Sequence, residues 1–157
     1  SLIGMYDNDS ISMEETSIEE VFEAVAELEE NNLKSRKMAL KHPCRMDKRF
    51  MDKDLMISLL VNLVDNAARA SEEGACIYMT ARENTIAVRD NGCGIPKEEI
   101  PRVTEAFYMV DKARSRKAGG NGLGLAVCSR IAKLHGADLR IESELGEGTE
   151  VSIVFPA

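Results

Sequence analysis

From Asp52 or Asp54 to about Ala70, apolar residues fall nearly all the way round a helix: Leu55, Met56, Ile57, Leu59, Leu60, Val61, Leu63 and Val64. Such a helix has no broad face to give to water and must be buried on most sides. The chain therefore needs a second layer, and the flanking sequence supplies one. Ser10 to Glu15 alternates weakly and reads as a strand. Ser17-Ile18-Glu19-Glu20 is a capping box that opens a helix with Ile18, Val21, Phe22, Val25 and Leu28 three or four apart. Met38 to Lys41 and Arg49 to Met51 read as short strands around a turn at His42-Pro43. Cys76 to Ala81 and Thr85 to Arg89 read as a hairpin with Glu83-Asn84 at its tip. A third helix runs from about Gly122 to His135, with Leu123, Val127, Ile131 and Leu134 on one face and Gly136 closing it. Asp138 to Ser143 and Thr149 to Phe155 form a last hairpin. This order predicts an α+β fold: a two-layer α/β sandwich whose mixed sheet is covered on one face by three helices.

A chain of 157 residues suits one domain, here 1–157 with a core of about 10–156. Its net charge of −7 argues against general nucleic-acid binding. Ten acids and no Lys or Arg fall within residues 1–30, which read as a solvated run. Arg102, Lys112, Arg114, Arg116 and Lys117 cluster against Glu105 and Asp111. A local basic loop on an acidic chain suits a small anionic ligand. The four scattered cysteines imply reduced thiols in a cytoplasmic protein and, with two histidines, argue against zinc. Any plasma-membrane anchor of a full-length protein would lie outside this sequence, which starts at Ser1 without Met as a fragment or processed chain would.

Three polar stretches interrupt the pattern. Asn62 and Asn66 lie four apart on the buried helix, and Arg69 extends their stripe. Buried without partners, each would cost about 1–3 kcal/mol. An amide oxygen is a hard ligand suited to Mg²⁺, and a guanidinium suits a phosphate oxygen. Asp90 closes the apolar strand Ile86-Ala87-Val88, where a carboxylate can accept from an exocyclic amine, and Gly92 and Gly94 leave room for a base. Gly120-Asn121-Gly122-Leu123-Gly124-Leu125 feeds a loop straight into a helix, so backbone N–H groups and the positive end of the dipole suit phosphate. Between the last two, Gly94 to Gly120 has Pro96, Pro101 and many charges, with no sustained period beyond a short helix after Pro96. Irregular segments of that length are often functional lids. His135, before Gly136, reads as a helix-end residue favoured by the dipole.

In this order the blocks resemble the catalytic ATP-binding domain of sensor histidine kinases, in the superfamily shared with DNA gyrase, heat-shock chaperone ATPases and mismatch-repair ATPases. Asn62-Leu63-Val64-Asp65-Asn66-Ala67 resembles that family's N box. Asp90-Asn91-Gly92-Cys93-Gly94-Ile95 resembles its first glycine box, and Glu105-Ala106-Phe107-Tyr108 its F box. Gly120 to Leu125 is similar to the second glycine box, and Gly146-Glu147-Gly148-Thr149 to the third. The resemblance implies ATP and Mg²⁺ as ligands. It implies that Asn66 holds the metal and Asp90 reads the adenine amine. Gly92, Gly94, Ile95 and Thr149 would lie near the base. Gly120, Gly122, Leu123, Gly124 and Leu125 would lie along the phosphates. Arg69 falls where the family carries a phosphate-binding cation, Asn62 would orient the lip of the site, and Lys112, Arg114 and Arg116 would lie in the closing lid.

The implied function is presentation of the γ-phosphate to a histidine on a separate dimerisation domain, with a response regulator downstream. Neither His42 nor His135 stands in the His-Glu/Asp motif of such a domain, so the acceptor would lie in a preceding segment or another chain. Two departures bear on the site: Met109 follows Phe107-Tyr108 where a basic residue is frequent, and Ala70 stands where a Tyr is common. The alternative is an ATP-gated conformational switch or nucleotide-sensing module without phosphotransfer. The hydrolysing relatives place a Glu four residues before the metal-binding Asn. Here that position is Asn62, which cannot act as a general base.

Overall fold

The structure is a computed structural model and describes residues 11–102 and 124–157. Strand β1 (Glu14–Ser17) leads directly into helix α1 (Ile18–Ser35), and Ser17 caps it by accepting the Glu20 N–H at 3.3 Å. Three short strands follow: β2 (Ala39–Lys41), β3 (Cys44–Arg45) and β4 (Lys48–Met51). Asp52 then caps α2 (Lys53–Ala70) through its carboxylate, which accepts the Leu55 N–H at 3.1 Å. The chain continues through β5 (Cys76–Arg82), β6 (Thr85–Asp90), a 3₁₀ helix (Lys97–Arg102), α3 (Gly124–Leu134), β7 (Asp138–Glu144) and β8 (Gly148–Val154).

The main sheet runs β2-β5-β6-β8-β7, with β3 also on β5. β2 and β3 pair with β5 in parallel, and the other pairs are antiparallel, so the sheet is mixed as expected. β1 and β4 form a separate antiparallel ribbon. The three helices pack on one face, and α2 lies between α1 and α3 over the sheet. Among the described residues the fold is the expected two-layer sandwich.

Three local expectations change, and a fourth is refined. The first strand begins at Glu14 rather than Ser10. β3 was not expected; His42-Pro43 interrupts one edge of the sheet, which resumes where the Pro43 carbonyl accepts the Ala81 N–H at 3.3 Å. Leu28, placed by spacing on the core face of α1, is 64% exposed, and Glu29 is buried in its stead. Three turns take about 11 residues, so Glu29 returns to the angle of Ile18 while Leu28 falls to the side. His135 stands at the end of α3 as expected, but its ring does more than meet the helix dipole. It is buried, with Nε2 accepting the Asp52 N–H at 3.0 Å and Nδ1 2.8 Å from the Ile131 carbonyl. That pattern fits a ring with its proton on Nδ1 and ties the end of α3 to the start of α2.

Register explains where a site can form. On the helix-facing side, one cross-strand row is Ala81, Ile86, Ile153 and Leu139, and the next is Met79, Val88, Val151 and Ile141. These rows make the core. The following row changes character to Asp90, Thr149 and Ser143. Side chains two apart on a strand share a face, so this polar row points to the same side as the core, at the end of the sheet beneath α2.

Candidate functional site

Asp90 is buried at the end of β6. Its Oδ1 accepts the Gly92 N–H at 2.8 Å. Burial pushes the carboxyl above its ordinary value, and the Gly92 and Thr149 amides pull it partly back. Thr149 is its cross-strand neighbour. Ser143 fixes the rest of the row. Its Oγ accepts the Ile95 N–H at 2.8 Å, donates to the Gly148 carbonyl at 2.8 Å and lies 2.8 Å from the Thr149 hydroxyl. One hydroxyl therefore joins the segment after Asp90 to the last hairpin. The sequence reading missed Ser143, although counting back from the Gly146-Glu147-Gly148 turn pairs it with Thr149.

The glycines are demanded by close backbone packing. A Cβ on Gly92 would fall 2.7 Å from the Ala70 carbonyl carbon, at the end of α2. The next residue donates there, Cys93 N–H to the Ala70 carbonyl at 3.1 Å. Gly148 has φ +126, and a Cβ there would stand 2.8 Å from the Asn91 Cα. Gly94, with φ +74, is pressed against Glu144 and Leu145. The segment 90–95 is thus clamped between the end of α2 and the β7–β8 turn, and a larger residue would force these backbones apart.

Asn62, Asn66 and Arg69 stand half-buried on one side of α2. Arg69 Nη2 donates to Asn66 Oδ1 at 2.6 Å, so each has a protein partner. Gly124, the first residue of α3, faces the same amide, since a Cβ there would lie 3.5 Å from Asn66 Nδ2. The side chain of Leu125, the next residue of α3, packs against the core. Ala70, through its carbonyl, joins this cluster to the Gly92–Cys93 turn. Asn66, Arg69, Gly124, Gly92, Asp90 and Thr149 therefore gather around the C-terminal half of α2. Lys112, Arg114, Arg116, Gly120, Gly122, Leu123 and the stretch Glu105 to Tyr108 lie outside the described residues.

A hydrogen-bonded carboxylate, an amide, a guanidinium and a helix start around one clamped turn can hold a charged, amine-bearing ligand. Residues 51–157 match the family described as Histidine kinase-, DNA gyrase B-, and HSP90-like ATPase. The chain belongs to that ATPase family. It is 38% identical to sensor histidine kinase WalK of Bacillus subtilis (strain 168) over 112 residues, which cover 68% of this chain and 18% of WalK. It is 41% identical to sensor protein SrrB of Staphylococcus aureus (strain NCTC 8325 / PS 47) over 109 residues, covering 67% of this chain and 19% of SrrB. The chain thus spans about a fifth of the curated relatives it matches. The fold matches the catalytic domain of histidine kinase ThkA with a TM-score of 0.79 at 22% identity, covering 92% of this chain and 95% of that one.

Proposed function

We propose that this ATPase-family domain binds Mg·ATP and presents its γ-phosphate to a histidine on a separate dimerisation domain, as the catalytic part of a cytoplasmic two-component kinase. The observation that carries the reading is the gathering of Asn66, Arg69, Gly124 and Asp90 about one end of α2. The kinship to proteins named sensor histidine kinases supports it. Asp90 accepts the exocyclic amine of adenine with the acceptor capacity that Gly92 leaves free. Gly92 and Gly94 keep the base approach clear, and Ile95 and Thr149 flank it, held by Ser143.

The donor set at Asn66 fits Mg²⁺: an amide oxygen is a hard ligand, and a metal bound largely by water and phosphate needs few protein oxygens. The ion supplies neutralisation of phosphate charge. In its presence Arg69, now on Asn66 Oδ1, is free to pair with a phosphate oxygen. Asn62 orients the lip of the site. Lys112, Arg114 and Arg116 add lid charge, and Gly120, Gly122, Leu123 and Gly124 offer backbone N–H groups. Catalysis is then mainly positioning and charge stabilisation. The acceptor histidine, and the response regulator beyond it, lie on other domains. Among the described residues no helix is long and apolar enough to cross a membrane.

Incubation with Mg·ATP and an added dimerisation domain of a relative tests this reading. Phosphate should appear on the histidine of the added domain, with little transfer or hydrolysis by the chain alone. Steady hydrolysis without an acceptor would favour the ATP-gated switch, although Asn62 offers no carboxylate to take a proton from water.

A further inference from the structure

The three helices cover one face of the main sheet, and the other face is left to solvent among the described residues. Register sorts the charges on that outer face. Lys41 on β2 stands beside Tyr78 on β5, and Arg45 on β3 stands beside Arg82 on β5. Arg89 follows on β6. Beyond β6 the sign changes, with Glu150 on β8 and Glu142 and Asp138 on β7. Arg140 on β7 is an exception, and it is tied to Asp138 at 3.9 Å. Lys41, Arg45, Arg82 and Arg89 are all exposed and form no ion pair among the described residues. Arg89 stands opposite Glu150 in the register, yet its guanidinium lies over the Tyr78 ring, 5.0 Å from the centroid. The middle row across the face is small: Thr80, Ala87 and Ser152. A chain of net charge −7 thus keeps four unpaired cations on one half of one face and acids on the other half.

We propose that this face docks a second copy of the chain, sheet against sheet, about a two-fold axis running along the strands between β6 and β8. That axis lays β6 over β8 of the other copy and β5 over its β7. Rows are preserved, so Arg89 meets the partner's Glu150, Arg82 meets the partner's Asp138, and Lys41 reaches toward the partner's Glu142. Each contact occurs twice, as a self-complementary interface requires. The small middle row lets the faces approach to the roughly 10 Å of stacked sheets. The presence of both signs in opposed halves sets the occupant. A uniformly acidic partner would set like charge against Glu150 and Glu142. The polar row at Asp90 points to the helix-covered side, so the contact leaves it clear and stands apart from the nucleotide reading.

Sedimentation equilibrium at about 0.1 M and about 1 M NaCl, where the screening length falls from about 10 Å to about 3 Å, tests this. The wild-type chain should form a weak dimer, with Kd about 0.1 mM at the lower salt and about tenfold weaker at the higher. Arg89→Glu and Glu150→Arg should each be monomeric alone, because like charges then meet twice. Their equimolar mixture should dimerise as the wild type does, since both cross-copy pairs are of opposite sign again. Melting curves check that each variant is folded, and Arg82→Glu mixed with Asp138→Arg repeats the test two rows along if either is not. A wild-type chain that stays monomeric at about 1 mM overturns the proposal. So does a dimer that both variants leave intact, which would assign it to another face, and so does a mixture that stays monomeric.

Discussion

Asp90 sits in the row where the inner face of the sheet turns from apolar to polar, and its neighbours decide what it can do. With Gly92 N–H on Oδ1, part of the carboxylate remains free to accept. Replacing it by Asn converts one oxygen to a donor. Asp90→Asn should therefore weaken discrimination of ATP over GTP by about tenfold, given 1.4 kcal/mol for each tenfold and 1–3 kcal/mol for a mismatched buried pair. Competition binding with both nucleotides checks it, and equal weakening for both bases would assign Asp90 a structural part. Ser143→Ala removes the acceptor of the Ile95 N–H and the partner of Thr149. It should cost about 1–3 kcal/mol in urea unfolding; an unchanged midpoint would contradict the account. Asp90 and Thr149 were legible because they end strands beside glycines. The Asn66–Arg69 bond was not, because spacing shows that two side chains share a helix face but not whether they meet each other or a ligand.

At the scale of elements, α2 was the most legible, since its apolar residues and the Asp52 cap both act locally. α1 was legible in extent but not in detail. Counting steps of three and four drifts from 3.6 over three turns, and the drift exchanged Leu28 for Glu29. That exchange has a consequence for stability. Glu29 keeps its proton in the folded chain up to about pH 8, while its ordinary value is 4.5. Between those values the folded chain binds the extra proton, so stability falls as pH rises. Glu29→Gln should melt a few degrees higher than the wild type near pH 8, at about 2–4 °C for each kcal/mol, with the gap closing toward pH 4.5. Coincident melting curves at pH 8 would contradict this. In α3, Cys128 donates its thiol to the Leu59 carbonyl at 3.5 Å, and burial pushes that thiol up to about 12. It should stay unreactive toward a thiol reagent at pH 8 in the folded chain while half-buried Cys93 reacts. Peptide mapping after brief labelling checks this, and early modification of Cys128 would contradict the packing of α3 on α2. β3 was illegible because two residues carry no period; its pairing with β5 is a product of the tertiary fold.

For the whole molecule, two independent lines meet. The mixed sheet and three helices follow from patterning along the chain, and the resemblance carried by five short blocks agrees with a family match over residues 51–157. The blocks are far apart in sequence because the polar row is assembled across strands. Asp90 comes from β6, Thr149 from β8 and Ser143 from β7, and the end of α2 lies above them through the Ala70 carbonyl. This assembly was legible only through the resemblance, since no local pattern says which strands will be neighbours. The central claim is that one end of α2 carries a metal–nucleotide site, and calorimetric titration of ATP into the wild-type chain and Asn66→Ala, each with and without magnesium, tests it most directly. The account predicts wild-type binding that magnesium strengthens, and a variant in which that magnesium-dependent gain is lost. Equal Mg·ATP affinity in the two chains would contradict it.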